Sequence, residues 1–257
     1  MAVTYSYTYV IESTLTPAVG HHFFKLRVLP LASACQRVVE SRLSVSPDCV
    51  ICHARDGFGN DVQYGGISSV HDSFRIESSG TVECSRYAIP DSEPSDIYLF
   101  PTTLTAWDAD IRRLAREGGD TPAAVCEIMH RVHRSLAYER FATGNTTTAI
   151  EALGIGKGVC QDYAHLMIAA CRSVGIRARY VNGLMLGEGE THAWVEVYDG
   201  KHWLGYDPTH DAVIDYGYIK FAHGRDVGDC PSNRGRFYCW TSELMQVKSL
   251  MESRCAK

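Results

Sequence analysis

The sequence predicts an α+β protein in two parts: a β-sandwich over residues 1–98, then a domain of helices and antiparallel strands over 99–257. Three observations predict it. Period-two alternation and short β-branched runs dominate the first part. A join, Pro90-Asp-Ser-Glu-Pro94, then marks a change of period. Beyond it come helical spacings followed by alternating segments, the order of an α+β fold.

In the first part, segments 3–11, 23–28, 38–45, 49–54, 70–76 and 81–87 read as strands. Turn chemistry separates them at Pro30, Ser46-Pro47-Asp48, Asp56-Gly57, Gly59-Asn60, Gly65-Gly66 and Ser78-Ser79-Gly80. Short strands at such spacing suggest a sandwich. Beyond the join, Thr105 is placed to cap a helix over 106–117, and Thr121 with Pro122 to open another running to 136. A third helix starts near Gly158–Cys160 and ends at Gly175, with Ala164, Met167, Ile168, Cys171 and Val174 at helical spacing. Strands follow at 177–183, 192–198 and 201–207.

Composition bounds the function. With 45% apolar and 21% charged residues the chain is globular, and 257 residues can bury a sizeable core. A net charge of -5 and a pI near 6.1 give no electrostatic footprint for nucleic acid. No run of Lys and Arg suggests an anionic membrane surface, and no apolar segment approaches the roughly 18 residues of a membrane span. The first residues alternate like a strand and lack the basic start and apolar run of a secretory signal, so a cytoplasmic protein is expected. The ten cysteines lie scattered through strand and helix patterns and read as small buried hydrophobes of a reducing compartment, not as a disulfide framework.

Three segments carry chemistry: Gly158-Val-Cys-Gln-Asp-Tyr163, His192-Ala-Trp-Val-Glu-Val-Tyr198 and Trp203-Leu-Gly-Tyr-Asp-Pro-Thr209. A cysteine nucleophile reacts as its thiolate, which a helix N-terminus and a nearby imidazolium both favour. Cys160 falls where the third helix starts, after Gly156 and Gly158, beside free backbone N–H groups suited to an oxyanion. Asp199-Gly200 is a dipeptide favoured in two-residue hairpin turns. With that turn Tyr198 faces Lys201, and His192 faces Asp207 on the same side of the sheet at about 4.5–5.5 Å between Cβ atoms. At that distance the carboxylate can fix the imidazole tautomer. The expected triad is Cys160, His192 and Asp207.

These motifs, extended by Ala178-Arg-Tyr-Val-Asn-Gly183 and Gly205-Tyr-Asp-Pro-Thr-His210, resemble the bacterial transglutaminase-like superfamily. Upstream, Asp56-Gly-Phe-Gly-Asn60 and its flanking strands are similar to the β-domain that precedes this core in bacterial members. Downstream, Gly224-Arg-Asp226, Asp229 and Asn233-Arg-Gly235 are similar to the group's C-terminal segment. The resemblance implies a papain-like α+β core, with Cys160 as nucleophile, His192 as general acid and base, and Asp207 as its orienting partner. Tyr138 is the candidate for an aromatic oxyanion donor, with Gln161 and Trp194 as further cleft candidates. The expected activity is amide hydrolysis, a cysteine protease working through a thioester on a peptide or protein substrate. Acyl transfer to an amine and a non-catalytic binding module are the alternatives. No cofactor is called for, since cysteine acyl chemistry needs no metal.

Other motifs read more plainly. Cys49-Val-Ile-Cys52-His53 spells a haem-attachment pattern, but strand alternation sends its two cysteines to opposite faces. His130 and His133 share a helix face at metal-ligand spacing without a Glu or Cys partner, and read as a solvated face. Asp162 is placed to bond its local loop, His165 to line the cleft or pack, and His210 to meet substrate.

Overall fold

The computed structural model describes residues 2–116 and 124–254. Seven strands come first: β1 (Val3–Val19), β2 (His22–Leu26), β3 (Gln36–Ser46), β4 (Ile51–Arg55), β5 (Asp61–Ile67), β6 (His71–Cys84) and β7 (Ala88–Pro90). Next come α1 (Ala109–Leu114), α2 (Val125–Ser135), β8 (Ala137–Tyr138), α3 (Ala149–Ile155), β9 (Lys157–Gly158) and α4 (Cys160–Ser173). The last strands are β10 (Ala178–Met185), β11 (Gly187–Gly189), β12 (His192–Tyr198), β13 (His202–Asp207), β14 (Ala212–Ile214), β15 (Tyr218–Gly224), β16 (Asn233–Arg236) and β17 (Ser242–Arg254).

Three larger sheets result. The first has the order β11-β17-β1-β6-β3, the second β16-β2-β5-β4, and the third β14-β13-β12-β10-β15 with β7 beside β13. Alternation along β1 buries Tyr5, Tyr7, Tyr9 and Ile11. They meet Phe24 and Leu26 of the second sheet and Ile219 and Phe221 of the third in one apolar cluster. The expected sandwich is therefore present, and it is fused to the third sheet. On that sheet's other side, Ala178, Tyr180, Val195 and Val197 pack in one cluster with Ala164, Met167, Ile168 and Cys171 of α4.

Several elements differ from expectation for identifiable reasons. Residues 233–254, assigned by sequence to the second part, return to the N-terminal sheets, where β17 pairs with nearly the whole of β1. Strand β1 needs a neighbour on each edge, and only β6 comes from nearby in the chain. Ser78-Ser79-Gly80 is not a turn but the middle of β6. Gly80 admits the bulged β3 so closely that a Cβ there would lie 2.1 Å from the Glu40 carbonyl oxygen. Gly65 sits within β5 for a similar reason, its missing side chain leaving room for the Phe24 ring.

Thr105 does not cap α1. It is buried and bonded to Thr102 and Arg172, while Asp108 accepts from Asp110 N and Ile111 N at the helix start. The expected start at Thr121-Pro122 lies outside the described residues, and α2 ends at Ser135, close to the expected stop. Among the described residues no helix is long and apolar enough to cross a membrane.

Candidate active site

The nucleophile candidate is placed by a tight local construction. Helix α3 opens on Thr148, whose side chain and Glu151 form reciprocal bonds, and closes on Gly156 at φ 70°. Strand β9 follows, and Cys160 is the first residue of α4. Asp162, buried in the first turn, accepts from Val159 N at 2.8 Å and from Thr143 Oγ1 at 2.6 Å. Its burial raises its pKa against those bonds. Gly158 is required here, because a Cβ would lie 2.7 Å from Asp162 Cβ. The first N–H groups to turn back in the helix are those of Asp162 and Tyr163, both to Val159 O. Those of Cys160 and Gln161 precede them, at the helix start where N–H groups lack intrahelical acceptors.

The hairpin carrying His192 and Asp207 does not have the expected register. Asp199 N donates to His202 O, so the turn is Gly200-Lys201, with Gly200 at φ 103°. Asp199 Oδ1 accepts from both Lys201 N and His202 N, which selects this turn over Asp199-Gly200. Val195 then faces Tyr206, and Tyr198 faces Trp203. Moving the turn by one residue moves every facing pair by two, which preserves the face each side chain occupies. His192 and Asp207 are thus diagonal neighbours, not direct ones, and still meet, with Nε2 at 2.7 Å from Oδ2.

Asp207 is fully buried and heavily bonded. Its Oδ1 accepts from Thr209 N and His210 N. Its Oδ2 accepts from His192 Nε2, from His210 Nδ1 at 2.8 Å and from Tyr218 OH at 2.8 Å. Burial alone raises a carboxyl pKa, but these donors and the imidazole charge hold Asp207 well below the usual carboxylate range. His192 is buried too, which lowers an imidazole pKa. Its bonds to Asp207 and to the Cys160 side chain prevail and raise it to about 9. With Nε2 committed to Asp207, Nδ1 is the ring nitrogen left for Cys160.

Trp194 is fully buried, not exposed on an open cleft wall. It stacks near His192 at 6.4 Å between centroids, and its Nε1 donates to Tyr87 OH at 3.0 Å. Tyr87 OH in turn donates to Glu196 Oε1, a buried carboxylate that also pairs with Lys220 and Arg179. The imidazole therefore lies beside an indole that is bonded into a buried polar group. Tyr138 pairs with Gly158 through the parallel β8–β9 ladder, and the residue is 57% exposed. Partial burial and then the neighbouring Cys160 charge raise its pKa. Gln161 is half-buried beside Cys160.

His130 and His133 do not form a solvated face. His133 Nδ1 donates to Pro208 O at 3.1 Å and His130 bonds Asp211, so α2 holds the segment after Asp207. His165 is fully buried against Tyr180 and accepts from Val227 N, and burial lowers its pKa to about 4. Cys52 and His53 are exposed on β4. The nine cysteines among the described residues are unpaired. Donor atoms of His192, Asp207 and His210 lie within 4.8 Å of one another, a spacing a metal ion can use. Here both nitrogens are spent as N–H donors to one carboxylate oxygen.

Sequence reasoning missed Tyr218 and the buried Glu196–Lys220–Arg179 group. Glu196 carried a signal, an acid at an inward position of an otherwise apolar strand. Tyr218 carried none, because its approach depends on β15 crossing back beside β10.

A helix-start cysteine beside an imidazole that a buried carboxylate orients is the arrangement of a cysteine acyl-transfer or hydrolytic site. Residues 110–208 match the transglutaminase-like superfamily, and residues 5–83 match the bacterial transglutaminase-like N-terminal region. The chain belongs to the transglutaminase-like superfamily, with the N-terminal region of its bacterial members. An uncharacterized protein of Mycobacterium tuberculosis is 28% identical, over 92% of this chain and 87% of its own length. One from Mycobacterium leprae is 29% identical, over 91% and 92%. The fold is shared with a proposed cysteine protease from Cytophaga hutchinsonii, at a TM-score of 0.83 and 23% identity, covering 100% of this chain and 92% of that one. Family and fold together support a cysteine-dependent hydrolase or acyltransferase.

Proposed function

We propose that the protein is a cysteine amide hydrolase acting on peptides or proteins, with Cys160, His192 and Asp207 as its triad. The bond from His192 Nε2 to the buried Asp207 carries this reading, because it fixes the tautomer that leaves Nδ1 for Cys160. In the proposed reaction the Cys160 thiolate attacks the amide carbonyl. The oxyanion is met by backbone N–H at the start of α4 and by the Tyr138 hydroxyl. The His192 imidazolium protonates the leaving amine, and a thioester remains on Sγ. Imidazole then takes a proton from water, which attacks the thioester, releases the acid and restores the thiol. Throughout, Asp207 keeps the ring in place.

Incubation with a mixed peptide pool and a primary amine, beside a Cys160→Ala control, tests the reaction by mass spectrometry. Cleaved fragments that the control lacks are expected. Amine adducts on intact backbones would replace hydrolysis by acyl transfer on the same triad, and no Cys160-dependent product would sink the reading.

A further inference from the structure

A carboxylate oxygen has about two lone-pair directions, yet Oδ2 of Asp207 has three side-chain donors around it: His192 Nε2, His210 Nδ1 and Tyr218 OH. The donors must compete. His210 is no casual neighbour in this arrangement. Its backbone N–H bonds Oδ1 of the same carboxylate, and its ring lies 5.2 Å from that of His192 between centroids. The segment that carries it is pinned on both sides, at Pro208 by His133 and at Asp211 by His130. A surface histidine free of function has no need of such fixation, and this one keeps 47% of its side chain exposed.

On the proposed triad chemistry, on which this inference rests, His192 must hold a proton beside the thiolate and then surrender it to the leaving amine. A buried carboxylate devoted wholly to one imidazole holds that proton too tightly. We propose that His210 is a positioning residue for His192: by donating Nδ1–H to Oδ2 it withholds part of the Asp207 charge and sets how readily His192 releases its proton. The groups facing His192 are then Asp207 from β13, Cys160 from α4, Tyr218 from β15 and His210 from the segment beyond β13. Tyr218 donates from the half-buried start of β15. His210 is the most exposed of the three donors, so the one most open to whatever occupies the cleft.

The test needs no substrate. The titration of the His192 ring carbon–proton signal is followed by NMR in the full chain, assigned with His192→Gln. In His210→Ala the midpoint should rise by about one pH unit, a tenfold tighter hold on the proton. His210→Asn offers an amide N–H near the position of Nδ1, and its midpoint should stay with that of the unsubstituted chain. His210→Phe keeps a ring without the donor and should behave like alanine, which covers the case of an alanine variant that does not fold. An unmoved or lowered midpoint in the variants lacking the donor overturns the proposal, as does an asparagine variant that shifts with them. Failure of the proposed function reads differently, as a missing Cys160-dependent product in the unsubstituted chain.

Discussion

Replacing Asp207 by Asn exchanges one carboxylate oxygen for NH2 at a site where both oxygens are engaged. Oδ1 takes two backbone N–H groups and Oδ2 takes three side-chain donors. An amide can keep its oxygen toward only one of these sets. If it serves the backbone, its NH2 confronts His192 Nε2–H, and the imidazole must abandon its tautomer or its position. The charge is lost as well. Raising His192 from 6.5 to about 9 corresponds to about 3 kcal/mol of preference for imidazolium, at about 1.4 kcal/mol per pH unit. That preference is net of the burial of the ring, and the bond to Asp207 is the first cause that raises it, ahead of the one to Cys160. Tautomer disorder adds to this, and the Cys160-dependent rate should fall by about a hundredfold or more. NMR titration of His192 and single-turnover peptide cleavage check the two halves separately. A His192 midpoint that stays near 9 in Asp207→Asn would refute the reasoning, whatever the rate does.

Four further outcomes are expected. Because the folded His192 value lies above the unfolded one, its pair with Asp207 stabilises fully below pH about 6.5, and this is lost as pH rises through about 9; urea midpoints of the chain and of Asp207→Asn should converge over that window. Glu196→Gln strands Lys220 and Arg179 in the core and should cost about 3–5 kcal/mol by urea denaturation, where a cost below about 1 would contradict a paired buried charge. Gly158→Ala pushes on Asp162 and the first turn of α4, so labelling of Cys160 should slow at least about tenfold while the chain stays folded by circular dichroism. Deleting residues from 242 onward strips β17 from β1, and the truncated chain should be insoluble; a soluble chain with a cooperative melt would show that β1 does not need that edge.

Much of the site was legible because its parts are local in sequence. Cys160 stands at a glycine-flanked helix start, and His192 and Asp207 lie on two strands joined by a short turn, so parity alone placed them on one face. The turn itself was misread, since Asp199 side-chain bonds to Lys201 and His202 outweigh the preference of an Asp-Gly pair for the central turn positions. That error was harmless because it shifts facing pairs by two. Helix α3 was overlooked although Thr148 and Glu151 spell a capping box and Gly156 a stop. What stayed out of reach depends on distant contacts: β17 closing the N-terminal sheet, Tyr218 arriving from β15, and His130 and His133 gripping the segment beyond Asp207. Glycines misled for a related reason, because Gly65 and Gly80 serve close approach between strands, which looks like a turn in one dimension.

The most direct measurement is competitive alkylation of the folded chain near neutral pH, resolved peptide by peptide. Cys52, Cys126 and Cys239 are exposed, whereas Cys160 is only partly so. Access alone would label those three first. If Cys160 forms the thiolate–imidazolium pair, it should be labelled ahead of all three, and His192→Ala should remove that lead. Labelling that follows exposure, with Cys160 behind the open cysteines and indifferent to His192, would contradict the account.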